Sequence, residues 1–507
     1  MELPFEKTVS RFWQQKLYAP VIREETQEYK LPEGMPDIER VIAAWGQVAL
    51  RGKEWRSHHI GLTGGGMVWA IYAAADGTVR RIESWLPFSA RTEHSHEGEE
   101  GVIRAECVLS GVDARTASSR KLMLRCQLGL LVQTMVPREA TIYAPGELPG
   151  DIEVLERTYP MILTRETGEK SFLCDERLEL PQGTGTIEQL LYYRLTPRVT
   201  EQKVLGSRAV FRGMGQLHLL VREEGGRLRS LELELPFAQY LDLEGDYEES
   251  AEVSNLLAVT SLEAEPTEDG GIQVRCGLVS QYIINAPTVI RCLEDAYSPL
   301  RELELVREEV RLPAWLDEQV RQVELQERLA GEGVPVDQIF FPDLPQVSRQ
   351  PGGAEIRVSG CFQALWEEPD GTLTAKNARA GKSVTLLTEC DTIPFTRLSG
   401  PVHASREGSG WSMEAGMALK LDSSCTSPIS MVSSIRAGEL REPDPDRPSV
   451  IVRASRSGES LWGIAKYCGS TVSAIQRLNR LEQEPEENRL LLIPVICPAP
   501  GTAGHFS

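Results

Sequence analysis

The chain has 507 residues, of which 41% are hydrophobic and 25% are charged, and its formal net charge is -20. This composition is typical of soluble globular protein, and the length is enough for several domains with separate cores. The acidic balance excludes an ordinary nucleic-acid interface, which requires a basic surface, and it disfavours charge-driven binding to an anionic membrane.

The N-terminal segment, residues 1–7 (MELPFEK), has neither the basic start nor the apolar run of a secretory signal peptide. No stretch of the chain approaches the roughly 20 apolar residues that a membrane-spanning helix needs. We therefore expect no membrane insertion and a cytoplasmic location.

An internal repeat organises the first 300 residues. The segment Leu31-Pro32-Glu33-Gly34 aligns with Leu180-Pro181-Gln182-Gly183, and Leu86-Pro87-Phe88 aligns with Leu235-Pro236-Phe237, both at an offset of 149 residues. Two landmarks at one offset indicate two copies of one domain. We predict these copies at residues 1–142 and 150–296.

Each copy has the pattern of antiparallel β structure. Apolar residues alternate at 217–221 and 228–235, on either side of Gly225-Gly226, and the first copy repeats this design around Asp76-Gly77. Alternation around a two-residue glycine turn is a hairpin signal, and a Leu-Pro-Phe sequence is expected at the end of a strand. The pattern predicts a mainly β protein of tandem antiparallel sandwich-like repeats.

One short helix is predicted in each copy. Ile38, Val41, Ile42 and Trp45 share a face at helical spacing within residues 37–45. The corresponding segment of the second copy is 187–192.

A divergent third copy is predicted at residues 334–438, with a turn at Asp370-Gly371 and a related Ile393-Pro394-Phe395 sequence. Residues 297–333 are charged and have apolar positions at helical spacing, so we interpret them as a helical spacer that Pro313 divides. Residues 439–448 are rich in proline and charge and are predicted to be a linker.

The ten cysteines lack the CxxC spacing of zinc sites. Cys126, Cys276, Cys361 and Cys390 lie in strand-like apolar runs. We predict reduced, buried thiols, because Cys packs as a small apolar residue and a cytosol keeps thiols reduced. No metal or other cofactor is expected.

The pattern changes in residues 449–496. A strand at 450–452 is followed by two helical segments, which begin at Ser460 and at Ser470 or Thr471, and by a closing strand at 490–494. Hydroxyl residues favour helix N-termini, and Gly469 favours the end of the first helix. The sequence predicts a small βααβ module.

This module resembles the LysM family. The resemblance rests on Gly458-Glu459-Ser460-Leu461-Trp462, Thr471-Val472 and Leu478-Asn479 with their spacing. It implies binding of N-acetylglucosamine polymers such as peptidoglycan or chitin in a groove. One side of that groove would be formed by Gly458, Glu459, Ser460 and Leu461, and the other by Asn479, Arg480 and Leu481. Trp462 fits a binding role and a packing role equally, and helix capping is the alternative role for Ser460 and Asn479.

The repeats, with their Leu-Pro-Glu-Gly and Leu-Pro-Phe landmarks, resemble the SPOCS domain of clostridial spore-coat proteins. Repeated SPOCS domains followed by one LysM domain resemble the SipL-like spore coat morphogenetic family. This resemblance implies a scaffold of the mother-cell cytoplasm that binds the coat-basement ATPase, stage IV sporulation protein A, at the forespore surface. The alternative is a cell-wall protein that binds peptidoglycan or a chitin-like glycan.

Enzymatic interpretations find little support in the sequence. His94-x-His96 and His58-His59 are predicted to be solvated loop histidines rather than metal ligands. Gly64-Gly65-Gly66 leads into a strand pattern without the Lys-Ser/Thr of a phosphate loop. We expect a non-enzymatic protein.

Overall fold

A computed structural model describes residues 2–94, 100–388, 390–442, 444 and 446–497. Over this part of the chain it contains 21 strands and two short helices, so the protein is mainly β, as predicted. No helix among the described residues is long and apolar enough to cross a membrane.

The first unit is a sandwich of two antiparallel sheets. One sheet has the order β1-β6-β5 and the other β2-β3-β4. Trp69, Leu86 and Leu124 belong to the buried core that both sheets contribute to. The strands are β1 (Phe5–Lys30), β2 (Ile38–Trp55), β3 (His59–Ala74), β4 (Val79–Glu93), β5 (Val102–Ser118) and β6 (Lys121–Pro145).

The second unit repeats this pairing, with the order β10-β11-β7 in one sheet and β8-β9 in the other. The two predicted hairpins are confirmed: β8 pairs with β9 across Gly225-Gly226, and β3 pairs with β4 across Asp76-Gly77. The strands are β7 (Glu153–Glu179), β8 (Ile187–Glu223), β9 (Leu228–Tyr247), β10 (Glu252–Pro266) and β11 (Gly271–Tyr297).

A third set of strands follows the same plan, with its first strand paired to its last. Its second sheet has the order β13-β15-β14, with β16 also paired to β15, and the predicted turn at Asp370-Gly371 joins β15 to β16. The strands are β12 (Arg301–Ala330), β13 (Val334–Pro342), β14 (Gln346–Gln350), β15 (Gly353–Glu367), β16 (Leu373–Leu386), β17 (Asp391–Leu398), β18 (His403–Glu407) and β19 (Gly410–Leu440).

The helical spacer predicted for residues 297–333 is wrong. This segment forms β12, which pairs with β19 along almost its whole length, from Arg301 to Ala330. The exposure of its residues alternates at the start, where Leu303 and Leu305 are half-buried and their neighbours at 302, 304 and 306 are exposed. Alternation of this kind is the signature of a strand with one solvated face.

The helices predicted at residues 37–45 and 187–192 are also wrong, because these segments lie in β2 and β8. Residues 42–50 are all buried. A strand buried on both faces has a continuous apolar run, which also satisfies helical spacing.

The edge strands β4 and β9 continue through Pro87 and Pro236 and do not end there. A missing N–H is tolerated in an edge strand.

One pair of cysteines departs from the predicted reduced state. Cys390, just before β17, forms a disulfide with Cys425 of β19. Cys126 and Cys276 are buried free thiols and Cys361 is a half-buried one. Burial raises the pKa of the Cys126 thiol to about 12. These buried thiols behave as small core residues rather than as nucleophiles.

The long strands of the three units meet in a shared apolar core. Phe12 of β1, Leu163 of β7, Leu312 of β12 and Ile429 of β19 are all buried in this cluster. These strands extend beyond their own sandwiches, which explains lengths well above the usual strand of about 3–10 residues. The three units are therefore held together by apolar burial.

A buried polar cluster also joins the units. The carboxylate of Asp337, on β13, is 0% exposed. It accepts hydrogen bonds from Trp45 Nε1 at 3.2 Å, Tyr192 Oη at 2.9 Å and Ser230 Oγ at 2.8 Å. His218 Nε2 lies 2.7 Å from the same carboxylate. Trp45 belongs to the first unit and the other three partners to the second, so one carboxylate connects all three units.

The His218 ring lies between two carboxylates, since its Nδ1 contacts Glu232. Burial acts to lower the pKa of His218, but the charges and hydrogen bonds of Asp337 and Glu232 outweigh it and raise this pKa to about 10. Burial likewise acts to raise the pKa of Asp337, and His218 reverses this, so the pKa of Asp337 is lowered. The pair is charged near neutral pH, and each partner compensates the buried charge of the other.

Candidate functional site

The C-terminal module has the predicted βααβ order. Strand β20 (Val450–Ala454) pairs with β21 (Leu490–Pro494), and between them lie α1 (Leu461–Cys468) and α2 (Val472–Asn479). Leu461, Ile464 and Ile475 are buried in its core, as predicted. A core this small depends on tight packing of these few side chains.

Local capping fixes both helices of the module. Ser460 Oγ accepts a hydrogen bond from Gly463 N at 3.1 Å, and Thr471 Oγ1 accepts one from Ala474 N at 3.1 Å. Gly469 ends α1 with φ 65°, a left-handed conformation that favours glycine. The predicted N-cap at Ser460 and stop at Gly469 are confirmed. Thr471, rather than Ser470, caps α2.

The loop before α1 and the segment after α2 are joined by a hydrogen bond. The amide of Leu461 donates to the carboxylate of Glu484 at 2.6 Å. This amide is one of the unpaired donors at a helix N-terminus, which favours an anionic acceptor. Glu484 was not among the predicted groove residues, although an acidic residue following α2 is visible in the sequence.

Other predicted groove residues already have partners within the module. The carboxylate of Glu459 accepts from Arg453 at 2.6 and 2.7 Å. Asn479 Nδ2 donates to Ile475 O at 2.8 Å and Leu492 O at 2.6 Å, and its Oδ1 accepts from Leu492 N at 2.8 Å. Asn479 thus ties α2 to β21 with its own side chain.

The remaining groove residues differ in exposure. Leu461 and Leu481 are buried, whereas Gly458, with φ 74°, and Arg480, with φ 52°, are exposed. Next to Arg480, Glu482 is also exposed. The side chains that reach solvent from the second loop are therefore mainly charged.

Trp462 packs against β11 of the second unit rather than lining the space between the two loops. Its ring contacts Tyr297 with centroids 4.8 Å apart, and its Nε1 donates to Asp295 at 2.9 Å. Lys466 donates to the same carboxylate at 2.7 Å, and Tyr297 Oη donates to Ser470 O at 3.0 Å. In this structure Trp462 therefore has a packing role.

The charge of Asp295 is favoured in this contact. Burial acts to raise the pKa of the carboxyl, but hydrogen bonds from Lys466 and Trp462 outweigh burial, and the pKa is lowered. Arg307 of β12 adds an ion pair at 2.8 Å. One carboxylate therefore binds side chains of the module and of the β units together.

Comparison with known protein families gives one match, the LysM domain, over residues 456–484. Residues 456–484 form a LysM domain. No curated protein and no solved structure matches the chain. LysM domains bind glycans such as peptidoglycan, so the match supports a glycan-binding capacity for this part of the chain.

The candidate residues outside the LysM domain occupy structural positions. His94 is buried and its Nε2 lies 2.7 Å from Arg56 O, so the prediction that it is solvated is wrong, while His96 lies outside the described residues. A Cβ on Gly64 would come within 2.2 Å of Ala49 O, so close packing inside β3 requires this glycine. Among the described residues, no group of three or more His, Cys, Asp or Glu side chains is arranged to hold a metal ion.

Proposed function

We propose that the chain is a non-enzymatic scaffold whose LysM domain binds a protein partner. The resemblance of the repeats to SPOCS domains points to the coat-basement ATPase of the spore as that partner, in the mother-cell cytoplasm at the forespore surface. The observation that carries the proposal is that polar groups of the LysM groove already have hydrogen-bond partners inside the domain. Its side-chain and amide groups at Glu459, Leu461 and Asn479 already bind within the domain.

The charged rim of the groove supports a protein partner. Arg480, Glu482 and Glu484 are exposed beside α2, whereas a site for a neutral sugar generally presents apolar and aromatic side chains with a few oriented polar groups. Trp462, the aromatic side chain among the predicted groove residues, donates its hydrogen bond to Asp295 of the second β unit. Charge complementarity at such a rim contributes mainly to partner selection and association rate.

The test compares binding of the full-length chain to the immobilised coat-basement ATPase and to insoluble peptidoglycan. We expect binding to the ATPase and a loss of about tenfold in affinity for Arg480→Glu, because reversal of a rim charge replaces attraction by repulsion. Arg477→Glu is the matched control, since Arg477 is an exposed arginine on α2, in the turn that precedes Arg480. Binding to peptidoglycan without binding to the ATPase would refute the scaffold proposal.

Glycan binding is the second candidate, and the LysM match favours it. A sugar oxygen could replace the Glu484 carboxylate as the acceptor for Leu461 N. In that case Glu484→Ala frees the amide and increases retention of the chain on peptidoglycan. If the groove binds protein instead, the same variant leaves peptidoglycan retention at background.

A further inference from the structure

A cavity of about 360 Å³ lies where the three β units meet. Its wall contains Arg104 of β5, Arg198 of β8, Glu318 of β12, Arg397 of β17 and Lys420 of β19. Every unit therefore contributes at least one charged side chain. The cavity is separate from the LysM domain, which contributes no residue to its wall.

Cations predominate in this wall, although the chain as a whole carries a net charge of -20. The four cations are Arg104, Arg198, Arg397 and Lys420, and the carboxylates that line the cavity are Glu201 and Glu318. Two of these cations have carboxylate partners: Arg397 Nε lies 3.0 Å from Glu106, and Lys420 Nζ lies 2.8 Å from Glu318.

Among the described residues, the hydrogen bonds of the other two cations, Arg104 and Arg198, go to neutral groups. Arg104 Nη1 donates to Gln133 Oε1 at 2.7 Å, and Arg198 Nη1 donates to Ser399 O at 2.7 Å. The Nε of each guanidinium is buried without a hydrogen-bond partner, and Arg104 as a whole is only 1% exposed. Burial lowers the pKa of Arg104, and the charges of Asp422, Glu318 and Glu106 oppose this shift without outweighing it, so the desolvation of this guanidinium is repaid only in part.

Asp422 compensates Arg104 only in part. The charge of this carboxylate acts on Arg104, but among the described residues neither of its oxygens has a hydrogen-bond partner, and its ion pair with Lys420 is long, at 3.9 Å. Burial raises the pKa of Asp422, with Lys420 acting in the opposite direction, so burial disfavours its negative charge. A wall with more cations than carboxylates and an incompletely compensated guanidinium at Arg104 therefore occur at the same cavity.

We propose that this cavity binds a small phosphate-type oxyanion, held by the guanidinium groups of Arg104 and Arg198. Planar guanidinium groups match the geometry of phosphate oxygens and form charge-assisted hydrogen bonds with them. The volume exceeds the roughly 30 Å³ that a water molecule occupies several times over, so it has room for a phosphate group. Thr200 and Glu201 are exposed at the edge of the cavity, which gives access from solvent.

The test titrates inorganic phosphate against the full-length chain at constant ionic strength, with thermal unfolding and calorimetry as readouts. A ligand that binds only the folded state raises Tm with the logarithm of its concentration above Kd. We expect phosphate to raise Tm where chloride does not, and Arg198→Gln to weaken phosphate binding about tenfold, because a charge-assisted donor is lost. Arg275→Gln, at an exposed ion pair with Asp175, is the matched control and retains the response.

A second variant keeps the test decisive if Arg198→Gln folds poorly. Gln322 is exposed and lines the cavity, and Gln322→Glu adds a repelling charge without removing a buried group. We expect this variant to fold and to lose the phosphate response. No phosphate-specific Tm shift in the unmodified chain, or an equal shift in Gln322→Glu, would overturn the proposal.

Discussion

At the residue scale, Asp337 binds four side chains that come from the two other β units. Asp337→Asn keeps the shape of the side chain but removes the negative charge, which leaves the protonated His218 with Glu232 alone. Breaking a buried pair costs about 3 kcal/mol or more, because an uncompensated charge remains. We expect chemical denaturation at neutral pH to show a loss of this size. Asp242→Asn, at an exposed ion pair with Arg208, is the control and should change stability little.

The same pair predicts a pH dependence. The pKa of His218 is raised to about 10 in the folded protein, so its stabilising contribution is fully present below the unfolded value of about 6.5. That contribution is lost as the pH rises from about 6.5 to 10. We expect the free energy of unfolding to fall across this range, and to fall less steeply in His218→Gln. Equal slopes in the two proteins would contradict this assignment.

Residues with local roles are predictable from the sequence, whereas residues with distant partners are not. Ser460 and Gly469 cap α1 as predicted, because a cap interacts with the adjacent turn. Asp337 and His218 are 119 positions apart, and each appears in the sequence only as a polar residue within a strand. Glu484 falls between these cases, since its contact with Leu461 N depends on how the two loops meet.

At the element scale, the disulfide between Cys390 and Cys425 connects the segment before β17 to β19. It closes a loop with a sequence separation of 35, for which chain entropy gives a stabilisation of about 3–4 kcal/mol. We expect Cys425→Ser to lower Tm, and a reducing agent to lower the Tm of the unmodified chain but not that of the variant. Cys361→Ser, which removes a half-buried free thiol, is the control for the reductant effect. A Tm insensitive to reductant would contradict a stabilising disulfide.

The elements themselves were predictable where one strand face is solvated. The alternation on both sides of Gly225-Gly226 gave the hairpin of β8 and β9. The pattern failed for β2, where a continuous buried run also satisfies helical spacing, and for β12, which is much longer than a usual strand. Both errors arise because sequence periodicity does not report which partner strand covers a segment.

At the scale of the whole molecule, the LysM domain is in contact with the β units as well as being connected to them by its linker. Trp462 and Lys466 both bind Asp295, and Tyr297 is buried among the core residues of the LysM domain. The β units and the LysM domain thus share apolar packing, hydrogen bonds and an ion pair. This docking fixes the direction in which the LysM groove faces relative to the β units.

Asp295→Ala tests this docking. The change removes the acceptor for Trp462 and Lys466 and the ion-pair partner of Arg307, but it keeps the packing of Trp462 on Tyr297 and the hydrogen bond from Tyr297 Oη to Ser470 O. We expect the LysM domain to detach in part, with several-fold faster proteolytic cleavage between Leu440 and Val450, because cleavage follows the population of the open form. Small-angle scattering should show a larger radius of gyration.

The control is Asp242→Ala, since Asp242 is an exposed carboxylate on β9 whose partner is the exposed Arg208. It should leave cleavage and radius unchanged. If Asp295→Ala also leaves them unchanged, the contacts of Tyr297 with Trp462 and Ser470 are enough to hold the LysM domain, and the ion pairs of Asp295 contribute little. If cleavage accelerates and ATPase binding changes with it, the orientation of the groove set by Asp295 is part of how the scaffold presents its recognition domain.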